Sequence, residues 1–339
     1  MVVADDPAER QPPSASLSLG PVMAERQRNR SGVAPSAVLA FAFGDVALWA
    51  TNALVGKTLL ASHPVSQVQF LQFCGAALVF ALIRLFPSPP VGEGGSARSA
   101  DLASRGHLLP QGEKGTSALT AFAVGFIGLV GTMVLQYIAF ASMPVIEANL
   151  VAYTWPLMVA AALIVLGRPR QPLLLGLTAA LGFVGVALVV SGGRAHAWFE
   201  GDLTGYAAAF GSALCMAFYS LAVGRLAVSP DRLLLPSALV GVVLTLAWCL
   251  HDGARGIAGV DLVLCLYLGA GPMGLGYYFW SRAMSLDQGG RLAVVAYLTP
   301  IASTLLLALS GERLSMPAVA GAILVIGSCI AVGVERSEA

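Results

Sequence analysis

Apolar residues run along this chain in long stretches. They show neither the strict alternation of a half-buried strand nor the one-sided stripe of a surface helix. Ten stretches can be marked, at about 36–58, 64–86, 118–141, 144–167, 171–192, 203–225, 233–250, 260–284, 289–310 and 316–334. A bilayer core about 30 Å thick needs about 20 such residues per helix. Lipid offers no partner to an exposed backbone group, so the segments must be helices rather than open strands. The pattern predicts an all-α membrane protein with ten transmembrane helices. Four polar intervals fall outside it, one of them the stretch between the fifth and sixth segments that contains Arg194, His196, Glu200 and Asp202. Residues 1–35 are rich in Pro, Ser and Arg, too long and polar for the start of a signal peptide, and read as a disordered cytoplasmic tail. Residues 87–117 read as a disordered polar loop, and 335–339 as a short cytoplasmic tail.

Composition agrees: 57% of the 339 residues are hydrophobic and 11% are charged, against about 25% charged in a soluble domain. The net charge of +1 comes with no basic stripe, which excludes a nucleic-acid reader. The five cysteines lie in apolar segments without a CxxC pair, so neither a disulfide framework nor a metal site is expected. No GK[ST] phosphate loop and no HExxH motif occurs, and His63, His107, His196 and His251 lie in or beside predicted loops. Neither an enzyme nor a bound cofactor is expected.

Orientation follows from the basic residues. With the N-terminus inside, only Lys57, Arg194, Arg255 and Arg313 of the 19 basic residues fall on the outer side. Both termini are expected in the cytoplasm.

The chain also repeats itself. Val151-Ala152-Tyr153-Thr154-Trp155-Pro156 returns 144 positions later as Val295-Ala296-Tyr297-Leu298-Thr299-Pro300. A fainter echo relates Val55-Gly56-Lys57 to Val223-Gly224-Arg225. The halves are then 36–192 and 203–334, with five helices each. Five is odd, so the second copy is expected upside down. Inverted repeats place a substrate site at their interface near the midplane, and interrupted helices at matching positions point to it. Pro156 and Pro300 are the expected hinges. One chain supplies both halves, so a monomer suffices.

Several residues are candidates for that site. Asp45, Trp49, Asn52 and Gly56 share one helical face. This face is either a cavity wall or helix–helix packing. Asp45 is either a proton-coupling carboxyl, since intramembrane acids are expensive and functional, or a hydrated residue near the inner mouth. Asn149 and Tyr153, with Trp155 to one side, belong to the fourth segment, and Tyr297, Thr299 and Ser303 to the ninth. Gln136 and Tyr137 come from the third, Met216, Tyr219 and Ser220 from the sixth, and Tyr277, Trp280 and Ser281 from the eighth. Deep Tyr and Trp residues need a hydrogen-bond partner, which a polar cavity or core packing supplies. No Arg or Lys sits at midplane depth, which disfavours phosphorylated substrates.

Ten helices in two inverted repeats resemble the EamA-type branch of the drug/metabolite transporter superfamily, over about residues 36–334. Glu147-x-x-x-Val151-x-Tyr153-x-Trp155-Pro156, Leu48-Trp49-Ala50-Thr51, Tyr277-x-x-Trp280 and Ala293-Val294-x-x-Tyr297-x-Thr299-Pro300 are similar to its aromatic amino acid exporters. The resemblance implies export of amino acids across a bacterial inner membrane, with aromatic ones favoured. It implies a cavity lined by Trp49, Tyr153 and Trp155, together with Tyr219 and Trp280. Asp45 is not part of the motif. A proton-coupled exporter of small organic cations using Asp45 is the alternative.

Overall fold

The computed structural model describes residues 35–86, 117–167, 171–191, 202–226, 228–253, 256–286, 291–309 and 315–337, all helices and their short connections. The expectations for residues 1–34, most of the 87–117 loop, Arg194, His196, Glu200, Arg255 and Arg313 lie outside the described residues. Among the described residues, eight helices are long and apolar enough to cross a membrane, and Leu292–Ser303 and Met316–Ala331 are shorter apolar helices.

The first rod is broken. Pro35–Trp49 (α1a) and Asn52–Leu60 (α1b) meet at Ala50-Thr51. The sequence predicted one continuous helix here. Thr51 explains the difference: its Oγ1 donates to the Leu48 carbonyl at 2.9 Å and its N–H goes to the same carbonyl at 3.3 Å, so side chain and backbone crowd one acceptor. Val65–Leu85 (α2) is unbroken. Ala118–Ser142 (α3) carries a π-helical turn at Phe126–Gly131.

The fourth rod is Val145–Ala152 (α4a) and Trp155–Ala162 (α4b). The Thr154 hydroxyl donates to the Val151 carbonyl at 2.6 Å, as Thr51 does in the first rod. Pro156 therefore sits in the first turn of a new half-helix instead of kinking a continuous one. Proline is tolerated there because the first N–H groups have no helical partner. It also withholds the donor that would have met the Ala152 carbonyl.

Pro172–Ser191 (α5), Leu203–Val223 (α6) and Pro230–His251 (α7) follow. Gly259–Ser285 (α8) contains a second π-helical turn, Gly269–Gly276, around Pro272. The ninth rod (α9) opens as a 3-10 helix, Arg291–Tyr297, and becomes α-helical over Leu298–Leu309, with Pro300 near the change. Met316–Ser337 (α10) is the last described helix and runs three residues past the predicted boundary of 334.

The helices are apolar on all sides but not alike on all sides. On α5, Leu173, Leu177, Leu181 and Val184 are exposed at helical spacing, while Leu175, Ala179, Gly182, Gly185 and Val189 are buried. The exposed stripe is the surface lipid would cover. The buried stripe is small, which lets backbones approach. α5 packs on α10 in this way, and a Cβ added at Gly185 would meet the Gly321 carbonyl at 2.7 Å. The other large pairings are α2 with α7, α3 with α6, and α8 with α1a and α2. At one end, His63 Nε2 contacts Asp261 Oδ2 at 2.8 Å and Ser66 Oγ donates to Asp252 Oδ2 at 2.7 Å, joining the α1–α2 turn to the α7–α8 turn.

Candidate functional site

The breaks in α1 and α4 and the π turns in α3 and α8 surround one cavity of about 70 Å³, space for a few water molecules. Trp49, Asn52 and Ala53 enter from the α1 break, and Asn149, Ala152, Tyr153 and Trp155 from the α4 break. α3 gives Thr132, Met133 and Gln136, α6 gives Ser212, Ala213 and Met216, and α8 gives Pro272 and Tyr277. None of these side chains is charged.

The cavity has a polar side and an aromatic side. On the polar side, Asn52 Nδ2 donates to Gln136 Oε1 at 3.3 Å, and Tyr137 Oη donates to Asn52 Oδ1 at 2.9 Å. The buried Ser212 hydroxyl donates to the Thr132 carbonyl at 2.9 Å, pinning α6 to α3. On the aromatic side, Trp280 lies edge-on to Trp155 with centroids 5.3 Å apart, and 5.7 Å from Trp49. Trp49 Nε1 donates to the Pro272 carbonyl at 3.0 Å, and the Tyr277 hydroxyl donates to the Gly128 carbonyl inside the α3 π turn at 3.3 Å. Buried indole and phenol groups thus find backbone acceptors at irregular turns.

Five of the nine expected substrate-facing residues line the cavity: Trp49, Asn52, Asn149, Tyr153 and Trp155. Tyr137, Tyr219, Trp280 and Tyr297 do not, and all four are fully buried behind it. Tyr137 carries the hydrogen bond to Asn52. Tyr219 pairs its hydroxyl with Ser281, and Trp280 Nε1 donates to Ser220 Oγ at 3.0 Å. Tyr297 packs on the backbone of Gly182 in α5. Thr132, Met133, Ser212, Ala213 and Pro272 were not foreseen. For Thr132 and Met133 the reason is the α3 π turn before them, since each extra residue rotates the helix by about 100°. Ser212 and Ala213 lie on the regular α6 and are small residues whose sequence gives no signal.

Asp45 does not sit at a hydrated mouth. It is 0% exposed, and neither carboxyl oxygen has a hydrogen-bond partner among the described residues. The described residues hold no cluster of three or more His, Cys, Asp or Glu that fits a metal ion.

The sequence profile of the EamA-like transporter family matches residues 36–191 and again 203–334. The chain belongs to the EamA-like transporter family. It is a multi-pass membrane protein and a transporter rather than an enzyme. An aromatic amino acid exporter, YddG, of Ancylobacter novellus is 31% identical over 219 residues, covering 62% of this chain and 75% of that protein. A crystal structure with 25% sequence identity superposes with a TM-score of 0.68 over 88% of this transporter and 98% of that chain.

Proposed function

We propose that this transporter exports amino acids, aromatic and other neutral ones, across a bacterial inner membrane by alternating access through the cavity. One observation carries the reading: the cavity combines amide and hydroxyl groups with the rings of Trp49, Tyr153, Trp155 and Tyr277, and none of its lining side chains carries a fixed charge. A zwitterion needs its two charges met by dipoles, since a full counter-charge would hold it and slow release. Aromatic faces attract an ammonium and accept an apolar side chain.

In this reading α1–α5 and α6–α10 are inverted repeats and all ten helices span, with both termini cytoplasmic. Three features support it. Helical geometry changes just after Tyr153 and again at Tyr297, 144 positions apart. The α3 and α8 π turns fall at matching positions of corresponding helices, in the register of the 144-residue echo. Finally, the Asn52–Gln136 bond is matched by Ser220–Trp280, in the registers of the two sequence echoes. The helix pairings agree: α2·α7 and α5·α10 join counterparts, and α3·α6 maps onto α8·α1.

A second reading rests on Asp45. A carboxyl so enclosed has to be neutral or meet a cation, which suits proton-coupled export of small organic cations. One experiment addresses both. Labelled phenylalanine and threonine are offered to proteoliposomes holding the protein, with and without a pH gradient. Gradient-independent flux that drops at least tenfold in Trp155→Ala supports the amino acid reading. Amino acid flux that needs the gradient and vanishes in Asp45→Asn makes Asp45 the coupling carboxyl. Gradient-driven flux of a labelled organic cation in the same vesicles, lost in Asp45→Asn, supports the second. Absence of flux for both amino acids overturns the first.

A further inference from the structure

A chain of hydrogen bonds runs from the cavity into the body of the protein. Gln69 Nε2 donates to Gln72 Oε1 at 2.6 Å, and Gln72 Nε2 donates to Tyr137 Oη at 2.6 Å. Tyr137 Oη donates to Asn52 Oδ1 at 2.9 Å, and Asn52 Nδ2 donates to Gln136 Oε1 at 3.3 Å. Gln69, Gln72 and Tyr137 are 0% exposed. Gln136 is half-buried and lines the cavity. The chain therefore has one closed end and one open end.

The closed end sets its direction. Gln69 Oε1 is buried there with no partner. Were every bond reversed, Gln69 would instead bury an NH2 group with no acceptor. A buried donor without a partner is the rarer and costlier defect, because a carbonyl oxygen tolerates under-satisfaction better than an N–H group. Each member has one donor and one acceptor in the series, so fixing one end fixes the other. The single phenol proton of Tyr137 goes to Asn52, the Asn52 amide must then donate, and the Gln136 oxygen is consumed. What Gln136 turns to the cavity is its amide nitrogen, a donor.

We propose that Gln136 Nε2 is the carboxylate-binding group of the cavity, and that Gln69, Gln72, Tyr137 and Asn52 act through it by fixing its orientation. This rests on the amino acid reading above and deepens it. A ligand with a carboxylate near Gln136 gains a charge-assisted hydrogen bond. One with a primary amide there brings no negative charge. The corresponding position of the second half is Trp280, so the polar end has no twin, and the substrate's side chain points toward the Trp49–Trp155–Trp280 cluster.

The test is equilibrium binding of labelled phenylalanine and phenylalaninamide to the purified full chain in detergent, read as the ratio of the two affinities. In wild type, phenylalanine is expected to bind at least tenfold tighter. Gln136→Glu, which accepts from Asn52 but shows an oxygen to the cavity, is expected to abolish or reverse that preference. Tyr137→Phe deletes one buried oxygen that does not touch the cavity, and frees Asn52 and Gln136 to turn. It is expected to cut the preference several-fold, and it serves alone if Gln136→Glu does not fold. A general structural defect would weaken both ligands alike. If wild type prefers phenylalanine and the folded variants keep its ratio, the role of Gln136 is overturned while the amino acid reading stands. If wild type binds neither ligand, both are overturned.

Discussion

At the residue scale, what spacing revealed is what regular helix geometry preserves. Trp49 and Asn52 were placed by the helical period counted from Asp45. Both line the cavity even though the rod is broken between them at Ala50-Thr51, because that short turn keeps the two residues on one side. Trp280 is different. Its size and depth singled it out, but spacing says nothing about whether a ring faces a cavity or backs the residues that do. Here it backs them: its ring braces Trp49 and Trp155, and its Nε1–H is spent on Ser220. Trp280→Phe removes that hydrogen bond, worth about 1 kcal/mol, and leaves a void where the larger ring stood. In lipid the penalty is lost packing rather than water exposure. We expect a destabilisation of about 1–3 kcal/mol in all, read as a lower thermal midpoint in detergent. The Michaelis constant for the amino acid should rise as Trp49 and Trp155 lose their support, even though Trp280 does not line the cavity.

At the scale of the element, the two prolines were legible as irregularities, and helical geometry does change beside each, with Pro156 in the first turn of α4b and Pro300 just past the 3-10 turn of α9. The first helix broke with no proline at all. In both α1 and α4 a threonine hydroxyl donates to the carbonyl three residues back, at Thr51 and at Thr154. Threonine is ordinary within a membrane helix, so its sequence carries no signal that its side chain will compete with the backbone. This division of labour has a measurable consequence. A proline in a helix interior costs about 3 kcal/mol relative to alanine, but in the first turn almost nothing. Pro156→Ala should therefore leave thermal stability within about 1 kcal/mol of wild type. Turnover should fall severalfold if the Ala152 carbonyl and the loose joint at Tyr153-Thr154 are used during transport. A large stabilisation would instead mean that Pro156 strains a continuous helix. Initial flux rates and melting curves on one preparation separate the cases.

For the whole molecule, hydropathy alone outlined an all-helical membrane protein, because lipid demands apolar stretches of fixed length. Which helices pair was not legible, since most faces are apolar and even the polar faces of α1 and α2 do not announce a partner. Small residues decide it, and only where a neighbour is close. α5 and α10 meet at Gly185 and Gly321, where each added Cβ would run into the other's carbonyl oxygen, whereas nothing lies within 4 Å of a Cβ at Gly327 on the same α10. Gly185→Val should push the helices apart and destabilise the protein by about 1–3 kcal/mol. Gly327→Val changes composition identically and should leave the thermal midpoint nearly unchanged. Neither glycine lines the cavity. Phenylalanine affinity in the folded fraction should then match wild type in both variants, while Gly185→Val alone melts early. Loss of affinity in Gly185→Val would mean that the α5·α10 pair reports to the cavity across the bundle, and that the two halves move as one body rather than rocking about a packed seam.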